Sequence, residues 1–77
     1  MDRYPSMKWT RLRHILEGNP LNYRTARQAG SHRTMVAADR PTIRVAFHDG
    51  QELSGRVVRK ILVTDVGLTD QEARDLL

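Results

Sequence analysis

Three histidines, His14, His32 and His48, are the side chains of this sequence best suited to proton transfer near neutral pH. His14 falls on the polar side of a helical pattern, where a solvated surface role is usual. His48 ends a strand pattern on the side opposite its apolar residues, and a lone histidine there is more often structural or exposed than catalytic. His32 differs from both in its sequence context.

His32 directly follows Gly30 and Ser31, a pair that predicts a tight turn, and Arg27 and Arg33 lie close to it in sequence. Guanidinium groups bind phosphate through a planar fork of donors. A histidine at a rigid turn-to-strand junction with cations beside it is therefore well placed to meet a phosphodiester. We take His32 as the candidate catalytic residue, and on this context alone a structural role for it stays open.

Other kinds of catalytic or cofactor site find no support in the sequence. The chain has no cysteine, which excludes disulfides, thiolate nucleophiles and cysteine-based zinc sites. The histidines have no close acidic cluster and no recognised ligand spacing, so we expect no metal. Ser31 lies outside any G-x-S-x-G nucleophile elbow, and neither a P-loop nor a dinucleotide fingerprint is present. We therefore expect no cofactor.

The composition favours a nucleic-acid partner and a shallow site. A chain of 77 residues forms one small domain with a thin core, so a long substrate on an open surface is more plausible than a small one in a deep pocket. Thirteen Lys and Arg against nine Asp and Glu give a net charge of +4, and eleven of the thirteen are arginine. This balance fits phosphate binding, with a merely solvated basic surface as the alternative.

The chain has no apolar run of the roughly 18–20 residues that a membrane span needs, so we expect no membrane partner. Residues 1–5 lack the apolar stretch of a signal peptide. A cytoplasmic location is the expectation.

Helical patterns lie at the two ends of the chain. After a flexible lead over residues 1–6, a helix is predicted over residues 7–17, with Ser6 as its N-cap and Gly18 in the left-handed conformation at its end. Its apolar stripe consists of Trp9, Leu12, Ile15 and Leu16.

A second helix is predicted over residues 55–66, with Ser54 as its cap and Gly67 at its end. Residues 69–72 have the form of a capping box, so a short last helix should cover residues 70–77.

Three strands are predicted between these helices, over residues 21–28, 32–38 and 42–48. Short turns join them, one at Gly30 and one at residues 39–41, and such turns produce an antiparallel meander. The chain over residues 7–77 should therefore form one two-layer α+β domain of order α-β-β-β-α(-α). Its helices should cover one face of a three-stranded antiparallel sheet, in the manner of double-stranded-RNA-binding domains.

Several segments, in this order, resemble the HicA (YcfA-like) family of bacterial mRNA interferase toxins. They are Met7-Lys8, the stripe Leu12-Ile15-Leu16, Arg27-Gln28-Ala29-Gly30-Ser31-His32, Thr42-Ile43-Arg44-Val45-Ala46-Phe47-His48, Gln51-Glu52-Leu53-Ser54-Gly55 and Arg59-Lys60-Ile61-Leu62 through Val66-Gly67-Leu68-Thr69. The resemblance covers roughly residues 7–72. In one departure, Arg33 stands where many members carry a second histidine.

The resemblance implies a double-stranded-RNA-binding-like fold, ribosome-independent cleavage of mRNA, and a HicB antitoxin partner that covers the active site. It implies that His32 is the catalytic residue of this endoribonuclease. His48 is a candidate for the complementary acid or base if the fold brings it near. The side chains expected to contact RNA are Arg24, Arg27, Ser31, Arg33 and Arg40.

Two other classes of function stay open. A non-catalytic RNA-binding module could use the same basic face, because readers of duplex RNA contact phosphates and 2′-hydroxyls without a catalytic histidine. Alternatively, the basic face could pair with an acidic protein partner.

Overall fold

The computed structural model describes residues 3–77. Its main sheet contains three antiparallel strands, β2 (Arg24–Ala29), β3 (His32–Ala37) and β4 (Arg40–Ala46), with β3 in the centre. Each strand pairs with the next along the chain. The predicted α+β meander is therefore confirmed.

The helices form the second layer. Helix α1 spans Trp9–Glu17, α2 spans Gly55–Arg59 and continues as a π-helix over Lys60–Asp65, and α3 spans Asp70–Asp75. The π-helical part was not predicted. The apolar spacing over residues 55–66 fits an α-helix, so it does not reveal a change of helix type. In the described part of the chain, no helix has the length and apolar character needed to cross a membrane.

Two short strands form a separate ribbon, in which β1 (Met7–Lys8) pairs antiparallel with β5 (Glu52–Leu53). The backbone N–H of Trp9 extends this pairing by donating to the carbonyl of Gln51 at 2.8 Å. These bonds hold residues 7–8 extended, so the predicted helix start at residue 7 is wrong. Ser6 is not the N-cap; Lys8 occupies that position and makes no side-chain capping bond.

The core lies between the two layers. One face of the sheet supplies Met35, Ile43 and Val45, all at most 7% exposed. Helix α1 packs against it with the predicted stripe, in which Ile15 is partly exposed and the rest is buried. The buried residues of the core are Tyr4, Met7, Trp9, Leu12, Leu16, Leu21, Tyr23, Met35, Ile43, Val45, Leu53, Val58, Ile61, Leu62, Val66, Leu68 and Ala73.

Most of the predicted helix caps and turn glycines are confirmed. Ser54 Oγ accepts a hydrogen bond from the α2 backbone, and Thr69 forms the predicted capping box at the start of α3. Gly30 and Gly67 have φ of 61° and 91°, the left-handed region that glycine tolerates best. Gly18 is an exception, because its φ of −88° and ψ of 171° are extended rather than left-handed.

The three strands of the main sheet begin and end at residues that differ from the predicted ones. β2 begins at Arg24 instead of residue 21, because Asn22 has a left-handed φ of 55° and the backbone N–H of Tyr23 donates to the carbonyl of Leu16 at 2.9 Å instead of to a neighbouring strand. The Tyr23 hydroxyl fixes this segment by donating to the carbonyl of Pro41 at 2.6 Å. β4 spans Arg40–Ala46 instead of the predicted residues 42–48, because Arg40 already pairs with Ala37 of β3 and so belongs to the strand instead of the turn.

The amino-terminal segment contributes to the core. The expected flexible lead covers residues 1–6, of which residues 1 and 2 lie outside the described residues. Tyr4 is buried, and its hydroxyl donates to Asp70 Oδ1 at 2.7 Å. The guanidinium of Arg74 lies 4.6 Å from the centre of the Tyr4 ring. This segment is thereby attached to α3.

Candidate functional site

His32 lies on the face of the sheet that the helices leave open. It pairs with Ala29 of β2 on one side and with Ala46 of β4 on the other, and side chains of paired residues project from the same face. Both alanines are exposed, as is His32 itself. The imidazole therefore stands between two methyl groups, with no large side chain beside it in its row.

Arginines occupy the next row of this open face. Thr34 pairs with Arg27 of β2 and with Arg44 of β4. Rows on one face of a strand are about 7 Å apart, and neighbouring strands about 5 Å apart. Both arginines are thus diagonal neighbours of His32, within reach of a ligand that contacts the imidazole. Arg24, paired with Val36, stands one row further along.

Arg33 projects from the other face, although it follows His32 directly. It pairs with Val45 of β4, whose side chain is in the core. Its Nη1 donates to Thr25 Oγ1 at 2.9 Å, and the residue is partly buried. The structure therefore does not bring the Arg33 side chain together with His32.

Ser31 and His48 meet in a depression of about 340 Å³ at the turn end of the sheet, which Arg33, Phe47 and Asp49 also line but His32 does not. His48 follows the end of β4 and is exposed, and its backbone N–H donates to Gln51 Oε1 at 3.2 Å. The fold thus places His48 beside the turn that leads directly into His32.

Arg40 lies far from this region. It is the first residue of β4, six positions before Ala46, which corresponds to about 20 Å along a strand. Together with Pro20, Leu68 and Glu72, it lines a different depression, of about 310 Å³, between the sheet and α3.

The sheet carries an unbalanced positive charge. Its three strands contain five arginines and His32 and have no acidic residue. The ion pairs found within residues 3–77 involve Arg13, Lys60 and Arg74, so none of them neutralises an arginine of the sheet. Among the described residues, Arg24, Arg27 and Arg44 of the open face have no ion-pair partner, so an anionic ligand there would meet no competing carboxylate.

The groups whose pKa is shifted lie away from the open face. A hydrogen bond from Tyr4 and another from Arg74 lower the pKa of Asp70, and burial raises the pKa of the Tyr4 hydroxyl. Burial also raises the pKa of Tyr23. These groups support the fold. Among the described residues, no three histidine or carboxylate side chains come together as a possible metal site.

Arg44 is the member of this face that the sequence prediction omitted from the candidate residues. A signal for it was present, because Arg44 alternates with the apolar Ile43 and Val45 and must project away from the core. What the sequence lacked was the pairing that sets Arg44 opposite Thr34, next to the row of His32.

This arrangement combines two chemical capabilities. An exposed imidazole can give or take a proton near neutral pH, and exposed guanidinium groups can bind an anion such as phosphate beside it. The surface is open, so it suits an extended ligand better than a small molecule that must be enclosed.

Comparison with known proteins agrees with these features. A family model described as the HicA toxin of bacterial toxin–antitoxin systems matches residues 9–68, which include α1, the whole sheet and α2 with its π-helical continuation. Among curated proteins and among solved structures, no significant match was found. Because the family match covers most of the chain, the protein belongs to the HicA toxin family of bacterial toxin–antitoxin systems.

Proposed function

We propose that this toxin is a ribosome-independent endoribonuclease that cleaves mRNA, with His32 as its acid–base residue. The observation that carries the proposal is the exposed His32 on a sheet face that bears arginines and has no acidic residue in its strands. Membership of the HicA family supports the same activity.

The reaction uses a nucleophile that RNA itself provides. The 2′-hydroxyl oxygen attacks the adjacent phosphorus, the bond from phosphorus to the 5′-oxygen breaks, and the products carry a 2′,3′-cyclic phosphate and a 5′-hydroxyl. His32 removes the proton from the 2′-hydroxyl or donates one to the leaving 5′-oxygen, and such catalysis contributes about 10²–10⁴-fold. His48, beside the turn before His32, is the proposed complementary group.

The charge that builds on the phosphate during this step needs a cation. Arg27 and Arg33 both lie close to His32 in sequence. Arg27 is on the same face as His32, whereas Arg33 points to the other face and bonds Thr25. Stabilisation of the phosphate oxygens is therefore assigned to Arg27.

A HicB-type antitoxin is the proposed partner that neutralises the toxin. An antitoxin that covers the open face would block His32 and would meet a surface of uncompensated positive charge. An acidic surface on the antitoxin would complement it.

Incubation of the purified protein with RNA in the absence of ribosomes tests the proposal. Fragments ending in a 2′,3′-cyclic phosphate are expected, and a matched 2′-O-methyl RNA should stay intact because its nucleophile is blocked. If the methylated RNA is retained by the protein while the ordinary RNA is bound without being cut, the protein is a non-catalytic RNA-binding module instead.

A further inference from the structure

We infer that Arg27 and Arg44 form a two-armed phosphate clamp across β3, through which the open face holds RNA by its backbone with little regard to base sequence. The inference rests on the proposed function and deepens it. It adds Arg44 as a substrate-binding residue and specifies which part of the RNA the face contacts.

The register of the sheet creates the clamp. Arg27 and Arg44 both pair with Thr34, so they lie on opposite sides of it in one row. Two strand spacings separate their backbones by about 10 Å. Thr34 between them is small, which leaves room above it for a phosphate that both guanidinium groups can approach.

The position of this row suits the catalytic residue. His32 is two residues from Thr34 on β3 and therefore on the same face, about 7 Å away. A strand whose phosphate is held over Thr34 can present a neighbouring phosphodiester to the imidazole, because the flanking Ala29 and Ala46 do not obstruct it.

Both arginines are available for a ligand. Each is exposed, and among the described residues neither takes part in an ion pair. The three strands contain no carboxylate that could compensate the charge of these arginines. A phosphate therefore gains both interactions without displacing an internal partner.

Within residues 3–77, the open face has no phenylalanine, tyrosine or tryptophan ring and no side-chain amide with which to read bases. Sequence-specific recognition of single-stranded RNA generally stacks bases on aromatic rings and bonds their edges. Tyr4, Trp9 and Tyr23 are buried, and Phe47 packs against Trp9 with 5.4 Å between ring centres. The long polar side chains that project from the open face are arginines, which fits contact with phosphates.

Side-chain amides are also directed elsewhere. Gln28 is the only amide residue in the three strands, and it pairs with Arg33 on the face that the helices cover. Its Nε2 donates to the carbonyl of Gly30 at 3.2 Å. Binding should consequently depend on phosphate charge and on salt rather than on base identity.

The test measures binding of 2′-O-methyl oligonucleotides by fluorescence anisotropy, so that cleavage does not interfere. Three oligonucleotides of equal length are compared, one rich in uridine, one rich in adenosine and one containing guanosine, over a series of salt concentrations. The variants are Arg44→Gln and Arg27→Gln. Arg56→Gln is the matched control, since Arg56 is exposed on α2 and likewise has no ion pair among the described residues.

Each clamp variant should weaken binding of all three oligonucleotides about fivefold at 0.1 M salt and make the slope of log K against log salt less negative by about 0.7, the contribution of one phosphate contact to a single strand. The control should change affinity less than twofold. Equal losses for Arg44→Gln and Arg56→Gln, or a loss confined to one base composition, would overturn the clamp. Binding of polyglutamate with the same dependence on Arg44 would overturn it in favour of an acidic protein ligand.

Failure of the clamp can be told apart from failure of the proposed nuclease. If ordinary RNA is cut but the clamp variants bind normally, the nuclease proposal stands and the clamp is wrong. If ordinary RNA is not cut while binding still depends on Arg27 and Arg44, the clamp stands and the nuclease proposal is wrong.

Discussion

His32 and Arg33 are consecutive in the chain, yet their side chains leave β3 on opposite faces of the sheet. His32 shares its row with Ala29 and Ala46, whereas Arg33 shares its row with the core residue Val45. Adjacency in sequence therefore misleads about which cations share the face of the imidazole. The cations nearest to it on its own face are Arg27 and Arg44, which lie on the neighbouring strands, one row away from His32.

This difference predicts contrasting effects for two arginines. Arg33→Gln removes the hydrogen bond to Thr25 Oγ1 and should lower the free energy of unfolding by about 1 kcal/mol, measured by urea denaturation. Its RNA affinity should stay within twofold of the parental value. Arg27→Gln should show the reverse pattern, with reduced affinity and nearly unchanged stability. A large loss of affinity in Arg33→Gln would mean that its side chain reaches the RNA.

A second prediction concerns the docking of the amino-terminal segment. Gly55 approaches the backbone of Tyr4 so closely that an added Cβ would collide with the Tyr4 carbonyl oxygen. Gly55→Ala should therefore lower the free energy of unfolding by about 1–3 kcal/mol, because a backbone segment must shift.

Gly50→Ala is the matched control for this substitution. A Cβ at Gly50 would have no atom within 4 Å, so its effect should stay within about 0.5 kcal/mol. Chemical denaturation of the two variants in parallel gives the comparison. Equal stabilities would show that Tyr4 does not pack against Gly55 in solution.

A third prediction follows from the lowered pKa of Asp70. The hydrogen bond from the Tyr4 hydroxyl, followed by that from Arg74, favours the ionised carboxylate in the folded state. The stabilisation is therefore present above the unfolded-state pKa of about 3.9 and is lost as the pH falls through the lower folded-state pKa.

A double-mutant cycle tests whether the stabilisation by ionised Asp70 is lost as the pH falls. The coupling between Tyr4→Phe and Asp70→Asn, measured from unfolding free energies, should be present near neutral pH and should shrink as the pH falls below about 4. A coupling that stays constant down to strongly acidic pH would contradict the ionic character of this contact.

The features that were predictable from sequence are those fixed by local chemistry. Ser54 and Thr69 cap helices because their hydroxyls bond backbone N–H groups three residues away. Gly30 takes positive φ in a turn between two strands. Ile43 and Val45 alternate with polar residues and so fix the buried face of β4. These signals were enough for the α+β meander and for the position of His32 after the turn.

The features that were missed depend on distant pairing. Met7 and Lys8 form a strand because Leu53 and Glu52 pair with them, and a two-residue segment has no periodicity that could reveal it. Register across β3 decides that Arg44 joins the row beside His32 and that Arg40 does not. The bulge between Thr25 and Arg27 also decides which face of the sheet Arg27 projects from. Without the extra residue, Arg27 would share the buried face of Thr25, and with it Arg27 shares the face of His32.

The most direct test of the central claim is RNA cleavage by the His32→Ala variant, with His14→Ala as the control because His14 is also exposed but lies on α1. Both variants should keep the parental circular-dichroism spectrum and thermal midpoint. His14→Ala should cut ribosome-free RNA at the parental rate, whereas His32→Ala should lose at least about 10²-fold. A folded His32→Ala protein that degrades RNA at the parental rate would contradict the assignment.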